Sequence, residues 1–122
     1  MATIVPTTTL IGSQDGSIKK VVWTLVNNGD TCSPVSLPGY ADKSIQVAGT
    51  FDSASVALHG SNDDTNFAAL NMPNSSAIAI TAAAIKAVLE NTSQIKPVIS
   101  SAANNTSLSI TVVARLANTL RT

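Results

Sequence analysis

The sequence predicts an all-β protein, a two-sheet antiparallel β-sandwich of jelly-roll-like character with about eight strands. Three observations predict it. Apolar residues recur with period two in run after run, the spacing of half-buried strands. Gly, Pro, Asp, Asn and Ser cut these runs at the spacing of about 8–12 residues that marks sandwiches and barrels. No long helical period and no alternation of strands with helices appears, so the connections read as hairpins and arches.

The stretch Ser44 to Leu70 shows the pattern best. Ile45 and Val47 lead through Ala48-Gly49 to Phe51, and Val56 and Leu58 alternate with Ala57 and His59. Phe67 to Leu70 follows a polar loop, Ser61 to Asn66. Gly49 inside a strand implies a bulge or a close backbone approach.

From the start of the chain, Thr3 to Ile11 is β-prone but holds Pro6, which cannot donate to a ladder. It is either an edge strand or a free arm with apolar beads at Ile4, Val5, Leu10 and Ile11. Ser13 to Ser17 is a turn, with Asp15-Gly16 as its signal. Ile18 to Val26 is a strand with Val21, Trp23 and Leu25 on one face and Val22, Thr24 and Val26 on the other. Trp23 reads as a core anchor. Asn27 to Asp30 turns the chain. Val35 to Leu37 is a short edge strand between prolines, and Pro38-Gly39 is a further turn.

Ser55 to Ser61 forms a return strand after the turn at Asp52-Ser53. Ala77 to Asn91 admits two readings, a short helix capped at Thr81 or strands. The strand reading of Ile85 to Glu90 is preferred, with Ile85, Ala87 and Leu89 inward and Lys86 and Glu90 outward. Gln94 to Ser100 alternates, and Pro97 places it at an edge or a bulge. Ser107 to Leu116 is the longest clean alternation, with Leu108, Ile110, Val112 and Ala114 on one face, and reads as a central strand. Residues 1–17 are thus an extended arm or edge, 18–116 the sandwich, and 117–122 a tail.

Composition narrows the function. Charged residues make up 11% of the chain and sum to zero. The seven basic residues are scattered, which argues against phosphate-backbone binding to nucleic acid. A neutral surface of Ser, Thr and Asn favours association. No apolar run approaches the length of a membrane helix, and the start does not read as a signal peptide. With one cysteine, Cys32, no internal disulfide is possible.

Chemistry finds little to work with. Cys32 and His59, each the sole residue of its type, would have to meet to make a nucleophile–base pair. Asp63-Asp64 with Asn62 and Asn66 could offer oxygens to calcium, but the spacing of a calcium loop is missing, and a self-bonded hairpin turn is the simpler reading. No catalytic residue, metal site or cofactor site is expected, and the chain reads as non-enzymatic.

The run VAGTF–DSASVALHGSNDDTNFAALN resembles a stretch that recurs in small tailed-phage virion proteins, GTF followed by V-x-L-x-G-S-N/D-D and N-W/F-x-x-L. A later segment, Ile85 to Asn91, an Ile95-Lys96-Pro97-Val98 element and a closing strand at Leu108 to Arg115 extend the likeness from about Val21 to Arg115. That family often carries Trp where Phe67 stands and Gly where Asp64 stands. The resemblance implies a capsid decoration, or cement, protein, made in the host cytoplasm, bound as a homo-oligomer outside a phage head, and bridging subunits of the major capsid protein. The terminal segments would then supply contacts, through Thr3, Ile4, Val5, Pro6, Leu10, Leu116, Leu120 and Arg121. A tail or neck component is the neighbouring alternative. A discoidin-like carbohydrate-binding sandwich shares the V-x-L-x-G-S-x-D look, although this chain lacks aromatic-rich loops. No nucleic acid and no membrane is expected as a partner.

Overall fold

The computed structural model describes residues 2–11 and 17–116. All of the expected turn at Ser13 to Ser17 except Ser17, and the tail with Leu120 and Arg121, lie outside the described residues. Eleven strands follow in order: β1 (Thr3–Ile4), β2 (Thr7–Leu10), β3 (Ile18–Asn27), β4 (Thr31–Cys32), β5 (Val35–Ser36), β6 (Tyr40–Thr50), β7 (Ser55–Ser61), β8 (Ala68–Ala69), β9 (Ala84–Val88), β10 (Gln94–Ser100) and β11 (Ser107–Leu116). The number exceeds the expected eight because the β-prone stretch Thr3 to Ile11 is split into β1 and β2 and because β4 is a two-residue piece that the sequence does not reveal, whereas β5 and β8 fall where short strands are expected, at Val35 to Leu37 and Phe67 to Leu70.

A five-stranded sheet in the order β2-β3-β11-β6-β9 faces a four-stranded sheet in the order β5-β10-β7-β8. All their pairings are antiparallel. The all-β sandwich is therefore as the alternation predicts. A third element departs from it: β1 runs parallel to β4 in a separate two-stranded strap. β11 lies at the centre of the larger sheet, between β3 and β6.

The core is one cluster built from both sheets. Val21, Trp23 and Val26 of β3, Ile45 and Val47 of β6, and Leu108, Ile110 and Val112 of β11 meet Val56 and Leu58 of β7 and Ile95 of β10, all at 0–1% exposure. Each such aliphatic side chain contributes about 1.5–3 kcal/mol by leaving water. Trp23 is fully buried, and its Nε1–H donates to the Ser33 carbonyl at 2.9 Å, so the one polar atom of the ring is satisfied. Lys43 is also buried, and its Nζ donates to the Tyr40 carbonyl at 2.6 Å.

Two expectations about side-chain direction are overturned. In β3, Leu25 does not share the face of Trp23. The ladder to β11 shifts register between Leu108 and Ile110, which pair with Val26 and Trp23. The extra residue makes a bulge, Leu25 turns to φ +55°, and its side chain is 70% exposed while Val26 takes the core position. In β9, Ile85, Ala87 and Leu89 do not point inward. Pairing with β6 sets Val88 opposite Lys43 and Ala84 opposite Val47, so Val88 is the residue facing the core. Ile78 and Ile80, both 2% exposed, join the core, with Ile80 bridged to Val56.

The proline and glycine readings hold. Pro97 lies in β10, where β5 pairs only with Gln94 and Ile95, so that side of the strand is open beyond Ile95. Gly49 has φ +120°, and a Cβ there would run into the Ser107 carbonyl oxygen and the Leu108 Cα of β11.

Candidate protein-interaction surface

The ends and edges of the sandwich carry its exposed apolar groups, and they place the expected contact residues unevenly. The N-terminal stretch is no free arm. The Ala2 N–H donates to Asp30 Oδ1 at 2.9 Å, the Thr31 N–H to the Ala2 carbonyl at 2.9 Å, and the Ser33 N–H to the Ile4 carbonyl at 2.9 Å. Backbone N–H groups of Asn27 and then Ala2 hold the Asp30 carboxyl below its ordinary range. Ile4 packs against the core, Pro6 is half-buried, and Thr3 is exposed. β2 then pairs with β3 in register from Thr7–Val22 to Leu10–Lys19. The sequence alternative of a strapped edge is the one realised, because β1 and β2 each find a ladder.

Val5 stands out from this strap at 73% exposure. Leu10 and Leu116, 43% and 44% exposed, come to the same end of the larger sheet. Leu10 pairs with Lys19, and Leu116 pairs with Tyr40 and donates its N–H to the Ser17 carbonyl at 2.7 Å. The Lys19 ammonium sits 5.0 Å from the Tyr40 ring centre, so a cation–π contact lies between the two leucines' partners. Thr3 and Ile4, beside Thr31 and Cys32, belong to the opposite end.

At the Lys19 end a cleft of about 400 Å³ opens between Pro38–Ala41 and Asn91–Ser93, with Asn62 on its rim. Its lining carries no charged side chain. The neighbouring hairpin is closed on itself. Asp63 Oδ1 accepts the Ser61 hydroxyl at 2.8 Å and the N–H groups of Thr65 and Asn66 at 3.0 and 2.8 Å, and Oδ2 accepts Asn66 Nδ2 at 2.8 Å. Those donors, Asn66 N–H first, hold the Asp63 carboxyl far below the usual carboxylate range. Both oxygens serve the turn, so the hairpin reading explains this aspartate without a cation. Among the described residues no group of three or more His, Cys, Asp or Glu side chains is placed to hold a metal ion.

Cys32 and His59 stand on different strands with no hydrogen bond between them. Cys32 is buried in β4, and desolvation, with Asp30 second, pushes its thiol up to about 11. A thiol so raised is a poor nucleophile at neutral pH. His59 is half-buried on the outward face of β7, paired with Lys96 on one side and Ala69 on the other. Burial, then the Lys96 charge, lowers its pKa. Lys96 turns to the Phe67 ring instead, 4.5 Å from its centre.

Sequence reasoning missed Leu25, Ile85 and Leu89 as surface residues. Ile85 is 63% and Leu89 45% exposed. The signal for Ile85 was present in Val88, whose burial fixes the opposite phase of the alternation. Nothing local marks Leu25, because its bulge is created by the ladder to β11.

No protein-family model and no curated protein matches the sequence. The fold is similar to that in the crystal structure of the SPBc2 prophage-derived protein YomS, with a TM-score of 0.59 and 7% sequence identity over 87% of this chain and 97% of that one. At that identity the likeness shows a shared fold.

Proposed function

We propose that this chain is a structural protein of a phage particle that binds the outside of the capsid and stabilises it by bridging major capsid protein subunits. The observation that carries the phage assignment is the likeness to YomS over nearly the whole of that prophage-derived chain. The resemblance of the Val47 to Asn71 stretch to small virion proteins supports the narrower capsid role. A sandwich of zero net charge and few charged groups suits that role. Its usefulness lies in shape and in a few apolar anchors rather than in reactive groups.

Binding confined to the assembled shell stabilises that shell by mass action. Many symmetry-related copies let weak single contacts act together. Val5, Leu10 and Leu116 are the terminal residues best placed for contact, since Ile4 belongs to the core. Deleting residues 1–10 would remove the β1–β4 strap as well as any contact, so point variants are the better probe.

The test mixes purified chain with empty, tailless heads and measures co-sedimentation and the temperature at which the heads open. Saturable binding with a raised opening temperature is expected. Failure to bind heads while binding purified tails would replace the capsid role with a tail or neck one.

A further inference from the structure

We propose that the open edge of β9 is a strand-addition site, taking an extended segment of a partner protein whose carboxylate faces Lys86. The proposal rests on the reading that the chain works by binding another protein, and it names the surface.

β9 ends the five-stranded sheet and pairs with β6 alone. Its other side therefore presents main-chain groups without a ladder, a template for a further strand. The remaining edges are poorer templates: β5 and β8 have two residues each, β2 has four, and the side of β10 open beyond Ile95 is interrupted by Pro97, which has no N–H to donate, and lies beside Thr31 and Cys32 of β4. Ile85 offers a large apolar side chain, 63% exposed, on the outward face. Lys86 is exposed on the alternate face, and no carboxylate pairs with it among the described residues.

The site has a defined length. Asn71 closes the far end: its carbonyl accepts the Leu89 N–H at 2.8 Å, and its N–H and Nδ2 donate to the Glu90 carboxylate at 2.7 Å each. What remains open is Ala84–Val88, about 16 Å of strand. Charge then selects the occupant. A second copy pairing antiparallel over all five residues would set Lys86 against Lys86 of the other copy, and like charges directly opposite are destabilising. A segment with Asp or Glu at its centre and apolar residues on either side matches Lys86 on one face and Ile85 and Ala87 on the other.

A copy carrying Lys86→Glu is itself such a segment, and it serves as the probe. Wild type and K86E should each stay free of β9 pairing alone, and their equimolar mixture should form a 1:1 heterodimer in sedimentation velocity, lost at high salt. A mixture in which no heterodimer forms overturns the proposal. On empty heads, K86E should bind at least about tenfold more weakly than wild type, with an unchanged melting temperature. Equal binding of the two to heads overturns the edge as the contact and leaves the capsid role standing. If wild type binds no heads, the capsid role fails, and the heterodimer alone decides the edge.

Discussion

Gly49→Ala is the sharpest test of how the two long strands of the larger sheet fit together. At φ +120° an alanine sits outside the regions open to L residues, which costs on the order of 1–3 kcal/mol. The added Cβ also overlaps the Ser107 carbonyl oxygen and lies 3.2 Å from the Leu108 Cα. Both are backbone atoms of β11, the strand at the centre of the sheet, so no side chain can swing aside. Opening the ladder there forfeits at least one hydrogen bond, about 1 kcal/mol more. The sum is about 3 kcal/mol. For 122 residues the unfolding entropy is about 0.26 kcal/mol per kelvin, so the melting temperature should fall by about 12 °C. Gly39→Ala is the control. Gly39 has φ +82°, but its Cβ would meet only the Leu116 Cδ1 at 3.6 Å, an ordinary contact. It should lose only the conformational part, about 1 kcal/mol or about 4 °C. Calorimetry on both variants separates the two terms. Equal falls would refute the close approach of β6 to β11, and a fall under about 3 °C for Gly49→Ala would refute the reasoning altogether.

Four further outcomes follow from the same structure. Leu25→Gly relieves a left-handed leucine that buries little, and should raise stability by about 1 kcal/mol in urea titration. Trp23→Phe empties part of the core and orphans the Ser33 carbonyl, and should cost about 2–3 kcal/mol by the same method. Asp63, with its folded pKa lowered, stabilises the hairpin fully above its unfolded value of 3.8; that contribution fades as pH falls below about 4, and Asp63→Ala should flatten the acid limb of the stability curve. Cys32 should resist iodoacetamide in the native protein at about pH 8 and react on unfolding, as measured by mass spectrometry.

The alternation in β7 and β11 was legible because each strand is flanked by partners on both sides of its ladder, so period and burial agree. Leu108, Ile110, Val112 and Ala114 all face the core as their spacing requires. Gly49 and Pro97 were legible for a different reason: each removes something, a Cβ or an N–H, that only a special place tolerates. β3 and β9 were half legible. Their existence follows from local sequence, but their phase does not, because one extra residue opposite Ser109 flips everything after Trp23, and pairing to β6 decides which side of β9 is buried.

The same distinction separates the legible core from the illegible surface. A core residue announces itself by repeating, since many neighbours demand the same side chain chemistry at the same spacing. An edge is a property of topology: β9 is open because the chain leaves it for Asn91–Ser93 and β10 in the other sheet, and no residue within Ala84–Val88 encodes that departure. What its sequence does encode is one lysine in an otherwise apolar strand. On the core side of an interior strand, Lys86 would need a carbonyl to receive its ammonium, as Lys43 of β6 has in Tyr40, or would cost several kcal/mol. Placed at an edge, it leaves the fold untroubled and presents a positive charge with no carboxylate partner among the described residues, beside an exposed isoleucine.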